Sequence, residues 1–236
     1  MGGQEEPLGM IAIHTPGSRL ASLGVTSSDV TAMRQQAAAC ESVEEIINIA
    51  ATAEAFAVTA LGGALASAAD GKLDLGKDAV GTLVAARAAE QAHYNFLIES
   101  GAKPLTLTFT LPDEAIVTDV STFLTTLISL EEAFIAAYIA AAQVFAIRGE
   151  ARLAQIALQI GSIEAEHRAG ARFFAIDAGI LTGTPNDVAF EHALFTTVGE
   201  AATALTDLGF IGGSGTEISY PGPGDIDTSG VTNLMP

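Results

Sequence analysis

The chain has 236 residues, nearly half of them hydrophobic, with no tryptophan and a formal net charge of −18. That length suits one domain with a sizeable core, or a domain with arms, and an alanine-rich composition favours closely packed helices. With only three lysines no cationic patch is in view, so nucleic acid is excluded as an expected partner.

The first residues, Met1 to Glu6, lack the basic region and apolar stretch of a signal peptide. A cytoplasmic location and a mature exported form are both compatible with that start. Residues 1–41 read as an irregular arm with Pro7 and Pro16, then a short helix capped at Thr26-Ser27-Ser28-Asp29 and running to about Cys40. Cys40 is the single cysteine, so no disulfide forms within the chain. Ser42-Val43-Glu44-Glu45 matches a capping box and opens a long helix to about Ala69. Its apolar stripe, Val43, Ile47, Ala50, Ala57 and Leu61, is interrupted by Glu54.

Asp70-Gly71-Lys72 turns the chain into a second helix over about 78–99, with a stripe of Leu83, Ala86, Glu90, His93 and Leu97. Residues 100–118 form a crossover. Within it Leu105 to Leu111 alternates strictly between Pro104 and Pro112, which is strand periodicity. A third helix follows over about 116–148, with Leu124, Leu127, Glu131, Phe134 and Tyr138 on one face. After Gly149 a fourth spans about 150–178, its stripe including Ile156, Ile160, Glu164, His167, Ala171 and Phe174. A fifth helix is predicted over about 187–208 after Asn186-Asp187, and residues 209–236 read as an extended Gly/Pro-rich tail. The bundle therefore covers 42–208 in the order hairpin, long crossover, hairpin, one of the four-helix topologies. The most apolar windows carry Glu, Arg or His, so no membrane span is expected.

Two of the four histidines follow a glutamate by three residues, in Glu90-Gln91-Ala92-His93 and Glu164-Ala165-Glu166-His167. Three residues apart on a helix means one shared face. A lone motif of this kind is usually a solvated pair. Here each lies in an alanine-rich helix preceded by a helix with a glutamate at its middle, and together they outline a dinuclear metal site. Six side chains converge: Glu54, Glu90, His93, Glu131, Glu164 and His167. Glu54 lies about 22 Å from the end of its helix and Glu90 about 18 Å from the start of the next, at roughly 1.5 Å per residue, so their levels match. Four buried carboxylates are prohibitively costly alone, and two divalent cations balance them. The mixed donors suit iron first, with manganese or zinc as further candidates, and suit calcium poorly. Glu131 is preferred to Glu132 because it shares a face with Leu127, Phe134 and Tyr138, although Glu132-Ala-Phe repeats the Glu54-Ala-Phe pattern.

With these motifs, the segment Leu130 to Tyr138 and the stretch Ala189 to Phe195, residues 42–208 resemble the ferritin-like superfamily. They look most like the ferritin-like domain proteins related to bacterial and plant desiccation-related proteins. The resemblance implies an all-α, ferritin-like four-helix bundle with a long crossover, an additional C-terminal helix and extended terminal segments. It implies bridging roles for Glu90 and Glu164, terminal roles for Glu54 and Glu131, and one metal capped by each of His93 and His167.

Two functions follow as expectations. One is redox chemistry of ferroxidase or peroxidase type, oxidising Fe(II) or consuming peroxide or dioxygen at an iron or manganese pair. The other is a structural, self-assembling role in which the metals only stabilise the bundle. Homo-oligomers would then form through the arm, the alternating segment and the tail by strand addition. Tyr94 and Tyr138 read as core aromatics or as hydrogen-bond donors behind the ligands. His192 reads as a surface or packing histidine, Glu166 as solvated, and His14 carries no signal.

Overall fold

Among the described residues four long helices and one short one carry most of the structure, and three of them start at a capping side chain, Ser42, Asp119 and Thr197. The computed structural model describes residues 41–236 together with Thr26, Ser28 and Thr31. The expected arm, the short helix to about Cys40, and His14 lie outside the described residues. Helix α1, Val43–Ala69, opens on a complete capping box: Glu45 N donates to Ser42 Oγ at 3.1 Å and Ser42 N donates to Glu45 Oε2 at 2.7 Å. Helix α2 is Lys77–Glu99, and it packs along α1 as a hairpin.

The crossover is more structured than a plain connection. Strand β1 is Thr108–Leu111, and a 3-10 turn, Glu114–Val117, follows, capped by Asp113. Helix α3, Val120–Arg148, starts afresh at Asp119, whose carboxylate accepts from Thr122 N at 2.8 Å. This second cap sets the start four residues later than periodicity predicts. Gly149 takes the left-handed conformation at φ +83°, where a Cβ would be strained, and turns the chain into α4, Ala151–Asp177. Helices α3 and α4 pack along each other as a second hairpin.

The fifth helix is shorter than expected. Helix α5 is Val198–Asp207, not 187–208. Asp187 serves Arg172, at 2.7 Å from its Nη2, and Glu191 serves Arg168, so neither carboxylate starts a helix. The cap falls instead at Thr197, where Glu200 Oε2 accepts from Thr196 N at 2.7 Å. Glu41 reinforces this end, accepting from Val198 N at 2.8 Å and from Gly199 N.

The tail also departs from expectation. Strand β2, Thr216–Ser219, pairs antiparallel with β1, Phe109 facing Ile218 and Leu111 facing Thr216. The alternating segment thus has a partner within its own chain. Phe109 and Leu111 turn inward, whereas Leu105 and Leu107 stay exposed. A last 3-10 turn covers Pro223–Asp225.

Residues 41–236 lie in one compact unit. The architecture is all-α with this small two-stranded sheet added. The core has three buried clusters. Phe56, Phe109, Phe134 and Phe210 anchor one; Tyr138, Phe145 and Ile156 a second; Leu61, Leu73, Phe123 and Leu124 a third. Helices α1 and α3 are long and apolar enough to cross a membrane by length and composition. More than half of each apolar window is buried inside the protein, however, and both carry a buried glutamate.

Candidate metal centre

Each of the four long helices contributes a buried glutamate near its middle. Exposure is 3% for Glu54 on α1, 0% for Glu90 on α2, 2% for Glu131 on α3 and 1% for Glu164 on α4. Burying four carboxylates is expensive unless charge or hydrogen bonds compensate. The neighbouring face residues predicted from the stripes are buried with them, including Leu83, Ala86, Leu124, Phe134, Ile156 and Ile160. Glu132 is exposed, so the helix-face preference for Glu131 agrees with its burial. Glu132-Ala-Phe thus repeats the Glu54-Ala-Phe sequence with its glutamate exposed, whereas Glu54 is buried.

The six expected side chains come together. His93 Nδ1 lies 3.4 Å from Glu54 Oε2, 3.3 Å from Glu90 Oε2 and 3.5 Å from Glu164 Oε1. His167 Nδ1 lies 2.8 Å from Glu90 Oε1 and 3.4 Å from Glu164 Oε2. The ligand atoms form two overlapping groups, each within 4.8 Å: Glu54, Glu90, His93 and Glu164, and Glu90, Glu131, Glu164 and His167. Glu90 and Glu164 belong to both. Several of these atoms are buried without a hydrogen-bond partner, namely Glu90 Oε1, Glu131 Oε2, both Glu164 oxygens and His167 Nδ1. The 2.8 Å approach of His167 Nδ1 to Glu90 Oε1 is therefore close but misaligned as a hydrogen bond. Unpartnered buried oxygens beside imidazole nitrogens are the donor set a divalent cation takes.

The electrostatics follow from crowding. Burial raises the Glu54 carboxyl well above its ordinary value; His93 opposes, and the charges of Glu90 and Glu164 add. Burial likewise raises Glu131, with Glu164 adding to it. Burial pushes Glu90 up too, but the charge of His167 and the close approach of both imidazoles outweigh it and hold Glu90 well below the usual carboxylate range. Burial disfavours protonated His93 and His167. The surrounding carboxylates, Glu54 foremost for His93 and Glu90 foremost for His167, prevail and raise both well above the usual imidazole value. The cluster thus retains protons, the charge that metal binding displaces.

Three features of the surroundings were less legible. Tyr138 on α3 donates its hydroxyl to Glu54 Oε1, so it is both a core aromatic and a support for a ligand. Burial, then the charge of Glu54, raises its phenol well above the ordinary value. Gly161 on α4 makes this fit: a Cβ there would meet Tyr138 Cβ at 3.0 Å. Arg168, directly after His167, is 4% exposed and holds Glu191 in a two-pronged pair at 2.5 and 2.8 Å. The stretch 189–195 gave no spacing signal for that pair.

Other expected residues sit elsewhere. Tyr94 packs on Tyr220 at 4.7 Å between ring centres, and Tyr220 donates to Gln91 Oε1 at 2.9 Å. His192 is exposed, as is Glu166. Compared with known proteins, the chain matches no family model, no curated protein and no solved structure.

Proposed function

We propose that this protein binds two divalent metal ions on a ferritin-like four-helix scaffold and uses them for redox chemistry, oxidising Fe(II) or consuming peroxide or dioxygen. One observation carries the reading: two four-residue ligand groups share Glu90 and Glu164, in a buried centre where four carboxylate oxygens lack partners. Two cations neutralise four carboxylates, and two shared carboxylates keep them adjacent. In this reading Glu90 and Glu164 bridge. Glu54 and His93 complete one site, and Glu131 and His167 the other. Iron fits the carboxylate–imidazole mixture first, then manganese, then zinc.

Bound iron or manganese supplies a change of oxidation state and a coordination position for an oxidant. The chain's own residues do the rest. Tyr138 fixes the orientation of Glu54 through its hydroxyl. The histidines keep only 13% and 11% of their side-chain surface exposed, so water reaches the centre along a narrow front.

The experiment is metal analysis of protein purified without added metal, then oxygen uptake on adding Fe(II) to apoprotein. Two metals per chain and uptake lost in Glu90→Ala are expected. Two bound metals with no turnover by iron or manganese, with either oxidant, would leave the stabilising role and end the redox reading.

Self-association is proposed separately. Phe190 is 89% exposed, and Leu158, Phe173 and Leu194 are also exposed. Light scattering tests it: a monodisperse monomer, unchanged in Phe190→Asp, would remove the idea.

A further inference from the structure

Helices α2 and α4 touch each other far less than the partners within each hairpin do. The space they leave is a cavity of about 660 Å³. Small residues create it: Ala85, Ala89 and Ala92 lie along the α2 wall, where larger side chains would close the gap. Residues of α1 and α3 add apolar wall, and the C-terminal segment 230–236 supplies another side. The volume falls within the roughly 300–1,000 Å³ of small-molecule sites, far above what a few structural waters need.

Polarity is unevenly distributed over the lining. Leu83, Phe96, Ile160 and Phe174 are among the apolar residues, while His93, His167 and Glu131 present the edge of the metal centre. No Lys or Arg lines the cavity, and two glutamates do, Glu131 and the exposed Glu166. An anionic ligand would find no Lys or Arg and would meet the carboxylates of Glu131 and Glu166. A charged head of either sign would also lose its hydration against the apolar walls. A neutral molecule with a hydrocarbon body and one polar end matches both parts of the lining.

We propose that this cavity binds a neutral, largely hydrocarbon small molecule, with its single oxygen-bearing end at His93, His167 and Glu131. The inference deepens the dimetal reading and rests on it for the polar end only.

The test uses the metal-loaded full chain, with metal content measured on every sample. Isothermal titration compares 1-decanol with decanoate and decyltrimethylammonium, three probes of one chain length and three charges. The expected result is saturable 1-decanol binding at least tenfold tighter than either charged probe. Ala89→Phe, which fills the cavity, is expected to weaken decanol binding at least tenfold with two metals retained. Should that variant fail to fold, Ala85→Leu at an exposed lining position makes the same test. Absence of decanol binding, equal affinity for the charged probes, or full binding in the folded filling variant would each overturn the proposal. Protein that takes up decanol yet holds no metal supports the cavity assignment while ending the dimetal reading. Protein with two metals and no decanol does the reverse.

Discussion

At the residue scale, sharing of ligands makes the carboxylates unequal. Glu90 and Glu164 stand in both ligand groups, whereas Glu54 and Glu131 stand in one each. Glu90→Ala or Glu164→Ala is therefore expected to lose both metals, and Glu54→Ala or Glu131→Ala to retain one. Metal stoichiometry on the purified variants decides this, with exposed Glu132→Gln as the control that keeps both. Equal losses from all four positions would count against two sites with shared ligands.

Proton linkage at the same residues has a definite sign. Glu54 and Glu131 are raised above 4.5, and His93 and His167 above 6.5, in the folded apoprotein. Each binds its proton more tightly folded than unfolded. Their stabilisation is fully present below those ordinary values and is lost as pH rises through the raised ones. Glu90 runs the other way: held below 4.5, it contributes above that value and loses its contribution as pH falls through the folded one. Four groups oppose one. The melting temperature of apoprotein is expected to fall as pH rises above the ordinary imidazole value, and that of metal-loaded protein to fall less. Calorimetry in the two forms measures it, and an apoprotein that gains stability over that range would contradict the assignment.

At the scale of elements, the contact between α3 and α4 is set by one missing side chain. Gly161→Ala places a Cβ against the root of Tyr138, where no flexible end can move aside. A loss of about 1–3 kcal/mol is expected, the usual range for overpacking. Reduced occupancy of the site completed by Glu54 is expected with it, since Tyr138 orients that ligand. Denaturant unfolding together with metal analysis separates the two effects.

The segment before α5 shows where periodicity stops informing. Asn186-Asp187 is a sound cap by composition, but Asp187 and Glu191 are recruited by Arg172 and Arg168 across a tertiary contact that no local pattern encodes. By contrast Ser42-x-x-Glu45 completes its cap within one turn, so sequence alone locates it. Because Arg168 is buried, Glu191→Ala leaves its charge uncompensated and is expected to cost about 3–5 kcal/mol. Thermal denaturation reads this, and a loss below about 1 kcal/mol would mean that water replaces the carboxylate.

At the scale of the whole molecule, the tail belongs to the fold. Strand β2 covers the crossover, and Tyr220 reaches Gln91 beside Glu90. Removing residues 212–236 is expected to expose Phe109 and Leu111 and to lower the unfolding midpoint. An unchanged midpoint would make the strand pairing incidental. The reason the tail escaped sequence reading is physical: pairing between segments more than 100 residues apart leaves no periodic trace in a stretch as short as Thr216–Ser219. The site was legible for the opposite reason. Its ligands sit at helical spacing on faces that also carry the core, so the pattern that places Leu83 and Leu97 also places Glu90 and His93.

The two interleaved ligand groups also order events in time. One draws on α1, α2 and α4, the other on α2, α3 and α4, so neither hairpin alone holds a complete set. A chain emerging from its N-terminus presents Glu54, Glu90 and His93 early. Either four-ligand group is complete only after Glu164 has emerged and the second hairpin has docked against the first. Under the dimetal reading proposed above, metal capture is thereby deferred to the end of assembly.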